Sequence, residues 1–391
     1  MQCIIIARRS GQMVNEQLEY YLKHNISPEH QDISDLKIHF ERREKLYRQC
    51  GIPGLAFRNA EILEVGPGGG DNTLAFFHWN CKHIDLVEAN PTAIKDMRRL
   101  FTDYGVPEDK YQIYNCIIEK YNSTKKYDII VAEGFIQHIS NQKEVLDKLI
   151  RLIRNKGIII ITCGGKINFF IEIIKRMVGR VLTKNIPSYV EKVEYLTKIF
   201  APQLAQLRGV SKLPEDWVKD NIFNPELNSE SKLDLMKAIR IFDPDFDVLG
   251  CSPQIFTDYS WSKDIWYDYK QNYIEQFQRK RLSLLMANMP EIIAPVESVN
   301  DMLEYFENII NIEREYERTP DVNKIGNMLD VMEEMERLVY QYMPDEFVKV
   351  FFEIKDVLIC LKNNDSPDMR NYPNFFKAFG RTQQYISFVK K

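Results

Sequence analysis

The residues of this chain that could best do chemistry are glycines that directly follow a short apolar segment. The string ILEVGPGGGDNT occupies positions 62–73 and sets four residues two apart, namely Glu64, Gly66, Gly68 and Gly70. Glycine lets the backbone turn sharply and lets a ligand approach more closely than a Cβ would allow. A helix starting near Asp71 would add free N–H groups beside the same ligand. This pattern predicts a binding site for a nucleotide-containing ligand. Nicotinamide and flavin enzymes use a similar glycine-rich turn, so the turn alone does not identify the ligand.

A carboxylate follows the next apolar segment along the chain. HIDLVEA, at 83–89, ends in Glu88 and Ala89, and Glu88 lies 22 residues beyond Gly66. A carboxylate at this point can accept hydrogen bonds from both hydroxyls of a ribose. The alternative interpretation is a solvated side chain at the end of a strand.

Polar side chains also occur in the fourth segment, YDIIVAEGFIQHI. Its end contains Glu133, Gln137 and His138, at the sheet edge where parallel α/β folds bind their ligands. An imidazole titrates near neutral pH, so His138 is a candidate general base for a hydroxyl substrate. A structural role in helix packing is equally compatible with the sequence at this position.

The segments that must position these groups alternate between two types. Five short apolar runs, EILEV, HIDLVEA, YQIYNCI, YDIIVAE and GIIIITC, are separated by stretches of helical length between 60 and 165. Apolar strands alternating with helices indicate a parallel sheet covered on both faces. We therefore predict a doubly wound, Rossmann-like α/β fold, preceded by a helical leader at 1–59 whose helical pattern ends at Gly51 and Pro53.

The rest of the chain is mostly helical between two strand-like segments. FDVLGCS predicts a sixth strand at 246–251, and QYISFVK predicts a seventh, antiparallel edge strand at 384–389. The predicted organisation is thus a seven-stranded core at 60–261, a helical insertion at 262–375 and a return to the core at 376–391. The apolar stripes of the insertion would pack into a bundle or form a homodimer interface.

Composition excludes several classes of protein. Lys and Arg number 52 against 56 Asp and Glu, a net charge of −4, which disfavours a nucleic-acid partner. No apolar run approaches the roughly 20 residues of a membrane span, and we expect a cytoplasmic protein. The seven cysteines include no CxxC pair, so neither a metal site nor a disulfide framework is expected.

The spacing Glu64-x-Gly66-x-Gly68-x-Gly70 resembles motif I of class I S-adenosylmethionine (SAM)-dependent methyltransferases. A nicotinamide fingerprint would instead place its third glycine at Asp71. The resemblance implies SAM as cofactor, held by the motif I residues, by Glu88 and Ala89, by Cys116 and Ile117 beside the adenine, and by Glu133 beside the methionine part. For such a reaction we expect His138 or Glu133 to assist deprotonation of the acceptor. The commoner family pattern has an Asp near Asn115 or Cys116, which this sequence lacks.

The acceptor site should come from elements added around the core, including a lid segment around 201–232. Arg208, Trp217 and Asp220, in a stretch predicted to be irregular, would suit a polar acceptor together with Gln137, Tyr259 and Trp261. An ordinary loop and core aromatics are the alternatives. The strings DWVKDNIFNP, SPQIFTDYSW and GRTQQYISFV resemble bacterial methyltransferases of surface-polysaccharide and sugar biosynthesis. That resemblance implies a sugar, glycan or sugar-linked metabolite as acceptor, methylated on oxygen or nitrogen.

Two other functions remain compatible with the sequence. An aminopropyltransferase would use decarboxylated SAM, although the acid-rich motif expected after its fourth strand is missing. A non-catalytic SAM-binding module would use its helical half to engage a protein partner.

Overall fold

A computed structural model of the chain describes residues 16–27, 31–205, 213–224, 232–256, 261, 263 and 272–391. Seven strands form one sheet in the order β3-β2-β1-β4-β5-β7-β6. Their bounds are β1 Glu61–Val65, β2 His83–Glu88, β3 Tyr111–Asn115, β4 Tyr127–Ala132, β5 Ile153–Cys163, β6 Phe246–Ser252 and β7 Gln384–Lys390. The predicted seven-stranded α/β fold is confirmed.

The seventh strand occupies a different place in the sheet from the one we expected. β7 pairs antiparallel with both neighbours, so Ile160 lies opposite Ser387 on one side and Cys251 opposite Ile386 on the other. The strand at this edge of the sheet is therefore β6, with β3 at the opposite edge. The prediction that β7 is an edge strand is wrong. The physical reason is that β5 and β6 run in the same direction, so a single antiparallel strand can bond to both.

Helices cover the sheet and continue into a helical region. Their bounds are α1 Glu16–His24, α2 Leu36–Gln49, α3 Leu74–His78, α4 Pro91–Asp103, α5 Gln142–Leu152, α6 Phe170–Leu182, α7 Tyr189–Leu204, α8 Pro214–Val218, α9 Leu235–Phe242, α10 Tyr273–Lys280, α11 Val296–Arg318, α12 Val322–Tyr342, α13 Asp345–Lys362 and α14 Pro373–Lys377. Within the described residues, no helix combines the length and the apolar character that a membrane crossing needs.

Helix α3 begins three residues later than the sequence suggested. The side chains that could have capped a helix beginning at Asp71 make hydrogen bonds to groups outside the helix. Asp71 Oδ2 accepts a hydrogen bond from the backbone N–H of Gln31 at 2.8 Å, and Thr73 Oγ1 donates to Glu64 at 2.7 Å. The stretch from Gly66 to Thr73 consequently remains a turn next to the ends of the strands.

The helical region has an apolar core of its own, separate from the two cores that flank the sheet. Residues of α6, α7 and α8 share this core with residues of α11, α12, α13 and α14. The stretch around Trp217, expected to be irregular, is instead helical: α8 continues into a π-helical turn, Lys219–Phe223. Because β6 ends and β7 begins at the carboxyl edge of the parallel strands, the helices between them leave and return at that edge.

Candidate active site

The glycine turn after β1 depends on backbone conformations that favour glycine. Gly68 has a φ of +58° and Gly70 a φ of +87°, both in the left-handed region. A Cβ on Gly70 would lie 2.8 Å from Met97 Cγ, so this glycine lets the turn pack against α4. Gly68 instead points its N–H at the end of β2.

Glu88 accepts hydrogen bonds at the base of this turn. Its Oε2 accepts from the N–H of Gly68 at 3.0 Å, and its Oε1 accepts from the N–H of Asn90 at 2.8 Å. Burial raises the pKa of Glu88 to about 6. The Asn115 amide fixes the same strand end by donating to the backbone oxygens of Glu88 and Ala89, at 3.1 and 3.3 Å. Each carboxylate oxygen has a second lone pair, so Glu88 has capacity for further donors such as ribose hydroxyls.

Glu64 lies beneath the turn and has a partner within it. It is buried, it accepts the hydrogen bond from Thr73, and burial raises its pKa to about 8. The geometry therefore places Glu64 where it holds the shape of the turn.

The residues predicted to flank the adenine follow β3. Glu88 pairs with Asn115 across β2 and β3, so Cys116 and Ile117 follow directly after the β3 residue that lies beside Glu88. Both are partly exposed, and Ile117 starts the short 3₁₀ turn Ile118–Lys120. These two residues therefore lie, partly exposed, at the edge of the sheet where the cofactor site is predicted.

Glu133, after β4, is held by two side chains of α2. Arg43 Nη2 donates to both carboxylate oxygens at 2.8 Å, and Tyr47 Oη donates to Oε1 at 2.5 Å. The ion pair is nearly excluded from solvent, with 7% of the Arg43 side chain and 13% of the Glu133 side chain exposed. Arg43 Nε is buried and bonds to none of the described residues. A buried guanidinium N–H of this kind suits the carboxylate of a ligand.

The next residues after β4 are joined to β5. Thr162 Oγ1 accepts from the N–H of Gly134 at 2.7 Å and donates to Gln137 Oε1 at 2.8 Å. Gln137 is fully buried, which makes it a support of the loop. His138 is partly exposed, and its ring meets Phe169 edge-on at 6.1 Å between centroids.

A small cavity of about 90 Å³ opens beside this loop, between the sheet edge and the helical region. It is lined mainly by polar side chains from five parts of the chain. These residues are Gln17, Tyr21, Gly134, His138, Phe169, Glu172, Ile173, Arg176, Asp220, Asn221, Asn224, Thr382 and Gln383. The structure thus brings His138 and Asp220, 82 positions apart, to one cavity.

The other predicted acceptor residues lie elsewhere. Trp217 is 7% exposed and packs between Phe200 and Phe379 in the helical core, at centroid distances of 5.3 and 5.8 Å. Trp261 is 61% exposed and is not among the residues that line the cavity. Arg208 and Tyr259 lie outside the described residues. Among the residues that the structure describes, no group of three or more His, Cys, Asp or Glu could hold a metal ion.

Several residues of the site were not predicted from the sequence. His39, Arg43 and Tyr47 are the buried residues of α2, spaced four apart, and this polar stripe at helical spacing was a usable signal. Glu172 and Asn224 gave no such signal, because nothing in their local sequence shows that they become buried at a cavity.

Comparisons with known proteins agree with this geometry. Residues 63–159 match a family described as a methyltransferase domain. The ubiquinone biosynthesis O-methyltransferases of Rickettsia bellii and Rickettsia canadensis are 31% and 32% identical to this chain over 104 residues, 26% of its length. The chain spans only 41% and 42% of the lengths of these two relatives.

The solved structures that are similar to this chain include the N-methyltransferase NodS from Bradyrhizobium japonicum in complex with S-adenosylhomocysteine (SAH). It is 16% identical with a TM-score of 0.31, and the match covers 38% of this chain and 74% of that one. The segment that matches the methyltransferase domain family, residues 63–159, thus contains the glycine turn, Glu88 and Glu133, and it contributes strands β2, β3 and β4 to the seven-stranded sheet.

Proposed function

We propose that this protein transfers a methyl group from SAM to an oxygen or nitrogen of a small polar acceptor, a sugar, glycan or sugar-linked metabolite. The observation that carries the proposal is the Glu88 carboxylate bonded to the glycine turn at the edge of the sheet where the cavity beside His138 also opens. A cofactor site and an acceptor site at one edge are what a transfer reaction needs.

The residues present fit SAM. Glu88 has lone pairs for the ribose hydroxyls, and Gly66 and Gly68 allow close approach of the backbone. Cys116 and Ile117 would border the adenine, and the buried Nε of Arg43 would meet the carboxylate of the methionine part. Bound SAM supplies an electrophilic methyl group.

The protein's own part is to position the acceptor and, for a hydroxyl, to take its proton. Both carboxylate oxygens of Glu133 already accept hydrogen bonds from Arg43, so that side chain serves best to position Arg43. His138 lines the cavity and is partly exposed. We therefore favour His138 as the general base.

The polar lining of the cavity supports a polar acceptor. The names of the curated relatives favour oxygen as the methylated atom, and the resemblance of the later sequence strings to polysaccharide-associated methyltransferases favours a sugar. The proposal also includes a cytoplasmic location. It further includes a homodimer through the helical region, and sedimentation velocity would test this oligomeric state.

The function is tested by transfer of label from methyl-labelled SAM to a panel of sugars and nucleotide sugars. Labelled product with the native chain, lost in His138→Gln, would support the proposal. SAM binding without transfer to any acceptor would favour the binding module. Activity only with decarboxylated SAM would favour the aminopropyltransferase.

A further inference from the structure

Glu172 brings a carboxylate into the wall of the cavity. It lies in the first turn of α6 and is only 4% exposed. Its Oε1 accepts a hydrogen bond from the N–H of Gly380 at 2.8 Å. Its Oε2 is buried and accepts no hydrogen bond from any described residue.

Asn224 lines the same cavity from a different element. It follows the π-helical turn and is 6% exposed. Its Nδ2 donates to the hydroxyl of Tyr21 at 3.2 Å, whereas its Oδ1 is buried without a partner among the described residues. That hydroxyl donates in turn to Asp220 at 3.0 Å, which fixes the orientation of the amide.

The first two cations that follow Glu172 along α6 make hydrogen bonds to other groups, although the charge of Lys175 also acts on Glu172. Lys175 Nζ donates to the backbone oxygen of Ala378 at 2.5 Å and lies 3.5 Å from the centroid of the Phe379 ring. Arg176 donates to the backbone oxygen of Asn221 at 3.3 Å and lies 3.7 Å from the Glu313 carboxylate. A buried carboxylate oxygen without a donor is costly, so a ligand that supplies one gains free energy from filling this place.

We propose that Glu172 Oε2 and Asn224 Oδ1 form the recognition site for the methyl acceptor and select one that carries hydroxyl or ammonium groups. Two unpartnered acceptor atoms on residues that line one cavity match a ligand with at least two donors. They discriminate against a carboxylate-bearing ligand, because like charges repel in a buried site. The assignment of this ligand as the methyl acceptor rests on the proposed function, but its binding can be measured without methyl transfer.

The test uses three sugars of one ring type as probes, namely glucosamine, glucose and glucuronate. Ligand-observed NMR titrations of the full chain should give the tightest binding for glucosamine and the weakest for glucuronate. Glu172→Gln keeps an oxygen for Gly380 but loses the charge, and should weaken glucosamine binding at least about tenfold. Glu191→Gln, at an exposed position on α7, is the matched control and should change nothing.

Asn224→Ala provides a second variant if Glu172→Gln does not fold, and it should weaken glucose and glucosamine alike. Equal glucosamine affinity in native chain and folded variants, preferential binding of glucuronate, or no binding of any of the three sugars would overturn the inference. Calorimetry with SAH on the same samples reports the cofactor site separately. If the native chain does not bind SAH, the proposed function is contradicted. The sugar titrations would still decide whether Glu172 and Asn224 recognise a ligand.

Discussion

The carboxylate of Glu88 accepts a hydrogen bond of 3.0 Å from the backbone N–H of Gly68. This bond joins the end of β2 to the turn after β1. The two features that the sequence assigned to one cofactor are therefore joined directly by a hydrogen bond.

The first prediction is that SAM affinity depends on the protonation of Glu88. Burial raises its pKa to about 6, and protonation turns one carboxylate oxygen into an O–H donor and weakens the group as an acceptor for ribose hydroxyls. Below pH 6 the protonated form predominates, so affinity should fall by about tenfold for each further pH unit. Calorimetry between pH 5 and 8 measures this slope. Glu88→Gln should bind weakly without the slope; the same slope in that variant would exclude Glu88 as its origin.

The second prediction concerns the stability of the turn. Glu64 has a pKa of about 8 when folded, against 4.5 for an ordinary Glu, because it is buried. Between these values the folded state binds more protons than the unfolded state, so the free energy of unfolding should fall as pH rises from 4.5 to 8. Urea unfolding at pH 5.5 and 7.5 should show this fall in the native chain and a smaller one in Glu64→Gln. Equal falls in both would assign the pH dependence to other groups.

The third prediction separates His138 from Glu133. His138→Gln should reduce turnover about 10²-fold while SAM affinity is nearly kept, because a general base acts in the chemical step. Glu133→Gln should instead lower the free energy of unfolding by about 3–5 kcal/mol, because it leaves Arg43 buried without its counter-charge. Initial rates and urea unfolding on both variants measure the two effects. A small rate change in His138→Gln would leave positioning of the acceptor as the main contribution.

The fourth prediction follows from the interior position of β7. Deleting residues 384–391 removes the partner of both β5 and β6, so thermal unfolding should shift to lower temperature and SAM binding should be lost. A chain that ends at Trp261 should fail in the same way. If that shorter chain folds and binds SAM as well as the full chain does, the helices after it form a separate domain.

The sequence predicts best what local pattern determines. The apolar runs around Ile62, Ile130 and Ile160 identified strands of the sheet, and the glycine spacing located the turn. The order of β6 and β7 could not be predicted, because pairing depends on strand direction in three dimensions. The same limit applies to Arg43 and Glu133, which are 90 positions apart and meet only in the folded chain. Trp217 looked like a binding aromatic because composition alone does not distinguish an aromatic of the core from one of a site.

The assignment of the glycine turn after β1 as the SAM site is tested most directly by calorimetry. SAM is titrated into the native chain, Gly68→Val and Gly105→Val. Both glycines have a positive φ, +58° at Gly68 and +64° at Gly105, so valine strains the backbone at either position. A Cβ on Gly105 has no atom within 4 Å, at a turn after α4. We predict that the native chain and Gly105→Val bind SAM, whereas Gly68→Val remains folded by circular dichroism and shows no binding. Unchanged SAM affinity in Gly68→Val, or no binding by the native chain, would contradict the assignment of this turn as the cofactor site.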